Sequence, residues 1–208
     1  MTINIQKCIR IINLTLVAST FLLLGSYSPS IASSEYNIVQ AQTKQVRPQR
    51  LSARDARQIR AVLPKQTPVI NQSFRVNLPE CGSCFFVPAL NNENTLGIYL
   101  VKNNRVVYTF PQLEDLTPTS WRVHEIKAVS FLQLGFSDPN EDGVLVLADY
   151  ITGIGRTGAK PFPVAILYQR EGKGFKILAK ESEALTSRRV KTVRDAQKIL
   201  WDEFQYLP

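Results

Sequence analysis

Histidine is almost missing from this chain, and cysteine is scarce. One imidazole, His124, and three thiols stand among 208 residues. A His-rich metal centre is thereby excluded, and a His-dependent active site has a single candidate. His124 lies in Trp121-Arg122-Val123-His124-Glu125, where a lone imidazole on a strand reads as a structural residue. No G-x-S-x-G, phosphate loop or haem motif supplies the nucleophile-and-base pair that covalent hydrolysis needs. Long apolar runs are lacking too. The only one, Ile11 to Leu24, has 14 residues, whereas about 20 are needed to span a bilayer as a helix. With 44% hydrophobic and 20% charged residues, the balance is globular, which excludes wholesale disorder, collagen and a multi-span membrane protein.

What is there begins with an export signal over residues 1–32. Lys7 and Arg10 precede the apolar run, Gly25, Ser26 and Ser28 break it, and Ser30-Ile31-Ala32 offers small residues at −3 and −1 for a signal peptidase. Val39-Gln40-Ala41 allows a later cut, and an uncleaved anchor is the competing reading. Cys8 precedes the run and so is no lipidation site. Removing the signal takes away two positive charges and no negative one, leaving +6 of the +8. The processed chain is expected outside the cytoplasm, periplasmic or secreted, without a stable membrane span.

The charge is local. Residues 44–65 hold Lys44, Arg47, Arg50, Arg54, Arg57, Arg60 and Lys65 against Asp55 alone, while residues 66–208 hold 16 basic and 15 acidic side chains. Residues 33–50 carry no apolar period and read as a linker. Ser52 with Asp55 makes a capping-box-like start for a short helix that Pro64 stops. On it Arg54, Arg57 and Arg60 share one face, opposite Ile59, Val62 and Leu63. That face suits an anionic envelope polymer, or it is simply solvated. Nucleic acid is disfavoured, because no aromatic residue interleaves the arginines.

After export two cysteines remain, in Cys81-Gly82-Ser83-Cys84. An oxidising compartment favours a disulfide. A thioredoxin-like redox pair has the same spacing, but its first cysteine opens a helix. Here Phe85-Phe86-Val87-Pro88 follows, which is strand-like. Zinc lacks ligands, with His124 the one histidine to add.

Strands dominate the body. Residues 96–110 read as a hairpin turning at Asn103-Asn104. Residues 121–134 and Val144–Ile151 follow as strands, the latter central, and a second hairpin turns around Glu171-Gly172-Lys173-Gly174. From Thr192 to Phe204 an apolar stripe of Val193, Ala196, Ile199, Leu200, Phe204 and Trp201 predicts a capped helix. Without βαβ alternation, the expectation is one α+β domain over 51–208, with a mainly antiparallel sheet, a short N-terminal helix and a C-terminal helix.

Two motifs invite chemistry. Asp138-Pro139-Asn140-Glu141-Asp142-Gly143 fits D-x-N-x-D-G, a turn whose alternate oxygens can wrap calcium. Asp149 stands at the twelfth position, but Val146 at the ninth cannot ligate. A plain Asp/Asn/Gly turn between strands is the alternative. Gly153-Ile154-Gly155-Arg156-Thr157-Gly158 is a literal G-x-G-x-x-G. The prolines and β-like run after it deny the helix that a dinucleotide fold requires. Its glycines Gly153, Gly155 and Gly158, with Tyr150 beside them, instead make a permissive loop that a partner's backbone can approach.

The stretch from Trp121 to Tyr168 resembles a segment of uncharacterised exported bacterial proteins. Its signature is the D-x-N-x-D-G turn, a strand ending Ala148-Asp149-Tyr150, then Ile-Thr-Gly-Ile-Gly-x-x-Gly-Ala-x-Pro-Phe-Pro from Ile151 to Pro163. The acidic turn is also similar to those of FG-GAP-type calcium repeats. The resemblance covers under a quarter of the chain and implies an exported domain. The expectation is therefore a non-enzymatic binding or structural module of the envelope or exterior. Its partner would be a protein or an anionic polymer, and calcium is the one cofactor in question. A thiol-disulfide redox protein using Cys81 and Cys84 is the alternative.

Overall fold

The computed structural model describes residues 48–113, 121–135, 142–152 and 160–206. All of them belong to one compact unit, Gln42–Pro208. A second unit, Met1–Ala41, lies outside the described residues, and with it the expected signal peptide.

Among the described residues, ten strands build two antiparallel sheets. The first contains β1 (Gln49–Arg50), β2 (Thr67–Pro68), β3 (Phe74–Leu78), β4 (Gly82–Leu90), β5 (Leu96–Lys102) and β6 (Arg105–Thr109). Its order is β1-β3-β4-β5-β6, with β2 also pairing β4. The second contains β7 (Trp121–Gln133), β8 (Asp142–Thr152), β9 (Phe162–Glu171) and β10 (Gly174–Ile177), ordered β10-β9-β8-β7. Three α-helices complete the fold: α1 (Ala53–Val62), α2 (Ala179–Ser187) and α3 (Val193–Phe204). The architecture is broadly α+β and mostly antiparallel sheet.

The layering follows from the period-2 alternation of strands. On β8, Val144, Val146, Ala148 and Tyr150 join Phe86, Ile98 and Leu100 of the first sheet in one buried cluster. The intervening Leu145 and Leu147 face Leu185, Ala196 and Leu200 of α2 and α3. Likewise Phe86 of β4 points between the sheets, while Phe85, Val87 and Ala89 meet Ile59 and Leu63 beside α1. The order is helix, sheet, sheet, helices. Strands covered on both faces read as nearly continuous apolar runs, and each such side chain is worth about 1.5–3 kcal/mol when buried.

Turn chemistry sets the registers. Asn103 and Asn104 both adopt positive φ, 51° and 60°, so Lys102 pairs with Arg105 across a two-residue turn. Gly172, at φ 59°, serves the same end between β9 and β10. On the edge strand β7, the register slips between Val123 and Glu125 and again between Ile126 and Ala128. His124 and Lys127 are thus bulge residues, which keep Val123, Ile126 and Val129 facing the core while re-aiming the charged side chains outward.

Three expectations need correction. Gln49 and Arg50 are not linker: they pair with Arg75 and Phe74 and extend the first sheet. The C-terminal helix has a companion, α2, which stripe counting did not reveal because it buries only Ser182 and Leu185. Its hydroxyls bond backbone instead: Leu167 N–H donates to Ser182 Oγ at 2.9 Å and Ala165 N–H to Thr186 Oγ1 at 3.1 Å. The short β10 leaves that part of the β9 edge uncovered, and α2 satisfies it. Finally, Trp201 is 41% exposed and outside the α3 stripe.

Candidate functional site

The basic helix α1 is built as its letters suggest. Ser52 Oγ accepts from Asp55 N–H at 3.2 Å, and Asp55 accepts from Ser52 N–H at 3.0 Å. Arg75 closes on the other carboxylate oxygen at 2.9 Å. The backbone bond from Ser52, then its hydroxyl and the Arg75 guanidinium, hold the Asp55 carboxyl below the ordinary carboxylate value. A lowered folded-state value means the contribution is complete above the unfolded value of about 3.9 and is lost as pH falls through the lowered one. Asp55→Asn is expected to cost about 1 kcal/mol at pH 7. That gap to wild type should shrink in urea melts as pH falls from the unfolded carboxylate value through the lowered folded one; a pH-independent gap would show that the carboxylate charge is not what α1 uses.

Ile59 and Leu63 dock α1, leaving Arg54, Arg57 and Arg60 exposed. Arg54 and Arg57, with Gln58 and Asn104 of the β5–β6 turn, line a shallow depression of about 450 Å³. Arg60 does not line it. The structure therefore brings two of the three arginines to one concavity.

Cys81, in the β3–β4 connection, and Cys84, on β4, sit at disulfide distance, 2.03 Å between sulfurs. Both are buried, at 7% and 4%. β4 starts between the two cysteines, at Gly82, which takes φ 62°, and no helix opens at Cys81. Lys102 Nζ donates to the Cys81 carbonyl at 2.6 Å, tying β5 to this corner.

Of the calcium quartet, Asp149 alone has a described side chain. Asp138 and Asn140, with the side chain of Asp142, lie outside the described residues. Asp142 and Asp149, however, are the two ends of seven extended steps of β8, paired with Gln133 and Glu125. At about 3.3 Å per residue they stand roughly 23 Å apart along the strand. Asp149 instead accepts from Lys127 Nζ at 3.4 Å. Among the described residues no group of three or more His, Cys, Asp or Glu is placed to hold a metal. Tyr150 is corrected as well. It is 1% exposed, its ring 6.2 Å from that of Trp121 between the sheets, so it cannot meet a partner. Gly153, Gly155 and Gly158 lie outside the described residues.

A second basic site was not expected. Lys127, Lys160, Arg189 and Lys191 line a cleft of about 640 Å³ on the helical side of the second sheet, with Asp149 the acid among its walls. Leu147, Pro163 and Val190 contribute apolar surface. Lys127 is held by Asp149 and by a short contact to Glu125. Those contacts raise the Lys127 value, and the Glu125 carboxyl is lowered in return. The run Arg188-Arg189-Val190-Lys191 was the available sequence signal. It was diluted by the near-neutral sum of the body.

Among the described residues no helix is long and apolar enough to cross a membrane. Comparison of the chain with protein-family models, with curated proteins and with solved structures returns no significant match.

Proposed function

We propose that this chain is an extracytoplasmic binding module without catalytic chemistry of its own, and that it docks through the arginine face of α1 on an anionic polymer of the cell envelope. The observation that carries this reading is the pairing of Arg54 and Arg57 over one depression, on a helix anchored from behind by Ile59 and Leu63. The anchored helix holds the guanidinium groups out into solvent, where their planar forks suit phosphate and carboxylate. The export signal read from residues 1–32 and the buried Cys81–Cys84 pair accord with an oxidising compartment.

The test is retention of the full chain on immobilised lipopolysaccharide at low salt. With about 1 kcal/mol per basic residue at an anionic surface, replacing Arg54, Arg57 and Arg60 together by Glu should weaken binding roughly 100-fold or more. Equal retention of the variant would overturn the docking role. Recovery of the unprocessed chain from cytosol would overturn the placement. Insulin reduction that vanishes in Cys84→Ser would replace the whole reading with the redox alternative.

A further inference from the structure

We propose that the cleft between the end of β8, the start of β9 and the α2–α3 connector binds a small molecule carrying two or more phosphate groups. This goes beyond the docking role above and rests on other residues. Lys127 is already committed to Glu125 and Asp149. Lys160, Arg189 and Lys191 are exposed, and among the described residues none of the three is in an ion pair. Three uncommitted cations in one concavity focus a positive field and exceed what a monoanion needs.

Two of these cations are placed against local preference. Arg189 N–H bonds Thr186 O at 2.9 Å and Val190 N–H bonds Leu185 O at 3.2 Å, which is a Schellman ending to α2. Its left-handed position favours glycine, yet Arg189 occupies it at φ 53°. Lys191 directly precedes Thr192, the N-cap of α3, where the helix dipole disfavours a cation and favours an anion. A merely solvated face gives no reason for either placement; a bound oxyanion compensates both. The Arg fork and lysine point charges suit phosphate oxygens. The volume of about 640 Å³ falls within the rough 300–1,000 Å³ range of small-molecule sites, and Pro161 and Pro163 leave apolar surface for an organic part.

Calorimetric titration of the full chain with pyrophosphate tests this, with orthophosphate alongside. Saturable one-to-one binding is expected, tighter for pyrophosphate and weakened by salt. Lys160→Gln and Lys191→Gln should each raise Kd about tenfold. Arg189→Gly should do the same without lowering the melting temperature, since glycine suits that position. Asp149→Asn, which removes the acid from the walls, should tighten binding severalfold. Glu at both Arg54 and Arg57 should change nothing. No saturable binding, equal affinity for the two anions, or affinity indifferent to Lys160→Gln and Lys191→Gln would overturn the site. Loss confined to the Arg54 and Arg57 variant would overturn it too, while leaving the α1 docking role standing.

Discussion

Phe86→Ala is expected to destabilise the protein by about 4 kcal/mol, the range for emptying a fully buried aromatic position. Phe86 is completely buried at the centre of the inter-sheet layer. Its ring meets Phe110 edge-on at 5.5 Å and Phe131 at 5.2 Å, so truncation breaks contacts from both sheets at once. Phe110 directly follows β6 of the first sheet and Phe131 lies on β7 of the second, so the rings cannot collapse into the void without moving backbone. For a domain of this size the melting temperature should fall by roughly 10 °C. Phe86→Leu, which keeps most of the volume, should recover more than half of the loss. Urea unfolding at equal slope measures both. A cost of Phe86→Ala under about 1 kcal/mol would mean the two sheets are not packed as one core.

The second large effect belongs to the Glu80–Arg170 pair. Glu80, in the turn after β3, meets Arg170 of β9 at 3.0 Å, and both side chains are 6% exposed. The pair therefore clips one sheet to the other, beside the disulfide corner. Arg170 also lies 5.8 Å over the Phe175 ring. Removing one partner of a buried pair strands a desolvated charge, so Arg170→Leu, which leaves the Glu80 carboxylate buried without its guanidinium, should cost about 3–5 kcal/mol. Replacing both residues by apolar ones, Glu80→Met with Arg170→Leu, should cost far less than the single change, because no charge then stays buried. A double variant as unstable as Arg170→Leu alone would show that the loss is one of shape and not of charge.

Much of the local structure was legible. The Ser52–Asp55 capping box, the Asn103-Asn104 turn and the Thr192 cap all rest on contacts within four residues, where side-chain chemistry and backbone preference act without help. Strand β8 announced its central place by its apolar run. Helix α2 was not legible, since its hydroxyls serve a strand edge that exists only once β10 stops short. The ion pair of Asp149 was not legible for a related reason. Its spacing from Asp138 matches a calcium loop in letters, while the pairing of β7, β8 and β9 holds residues 142–149 extended and hands the carboxylate to Lys127.

The arginine face and the cleft divide along the same line. Arg54, Arg57 and Arg60 share a face because one helix period places them there, which sequence alone determines. Lys127, Lys160, Arg189 and Lys191 come from a strand bulge, a strand entry and a helix connector, and only tertiary structure brings them together. A net charge near neutral over residues 66–208 says nothing of where the signs fall. Side-chain direction is local information, whereas the meeting of distant segments is decided by which buried faces must cover one another.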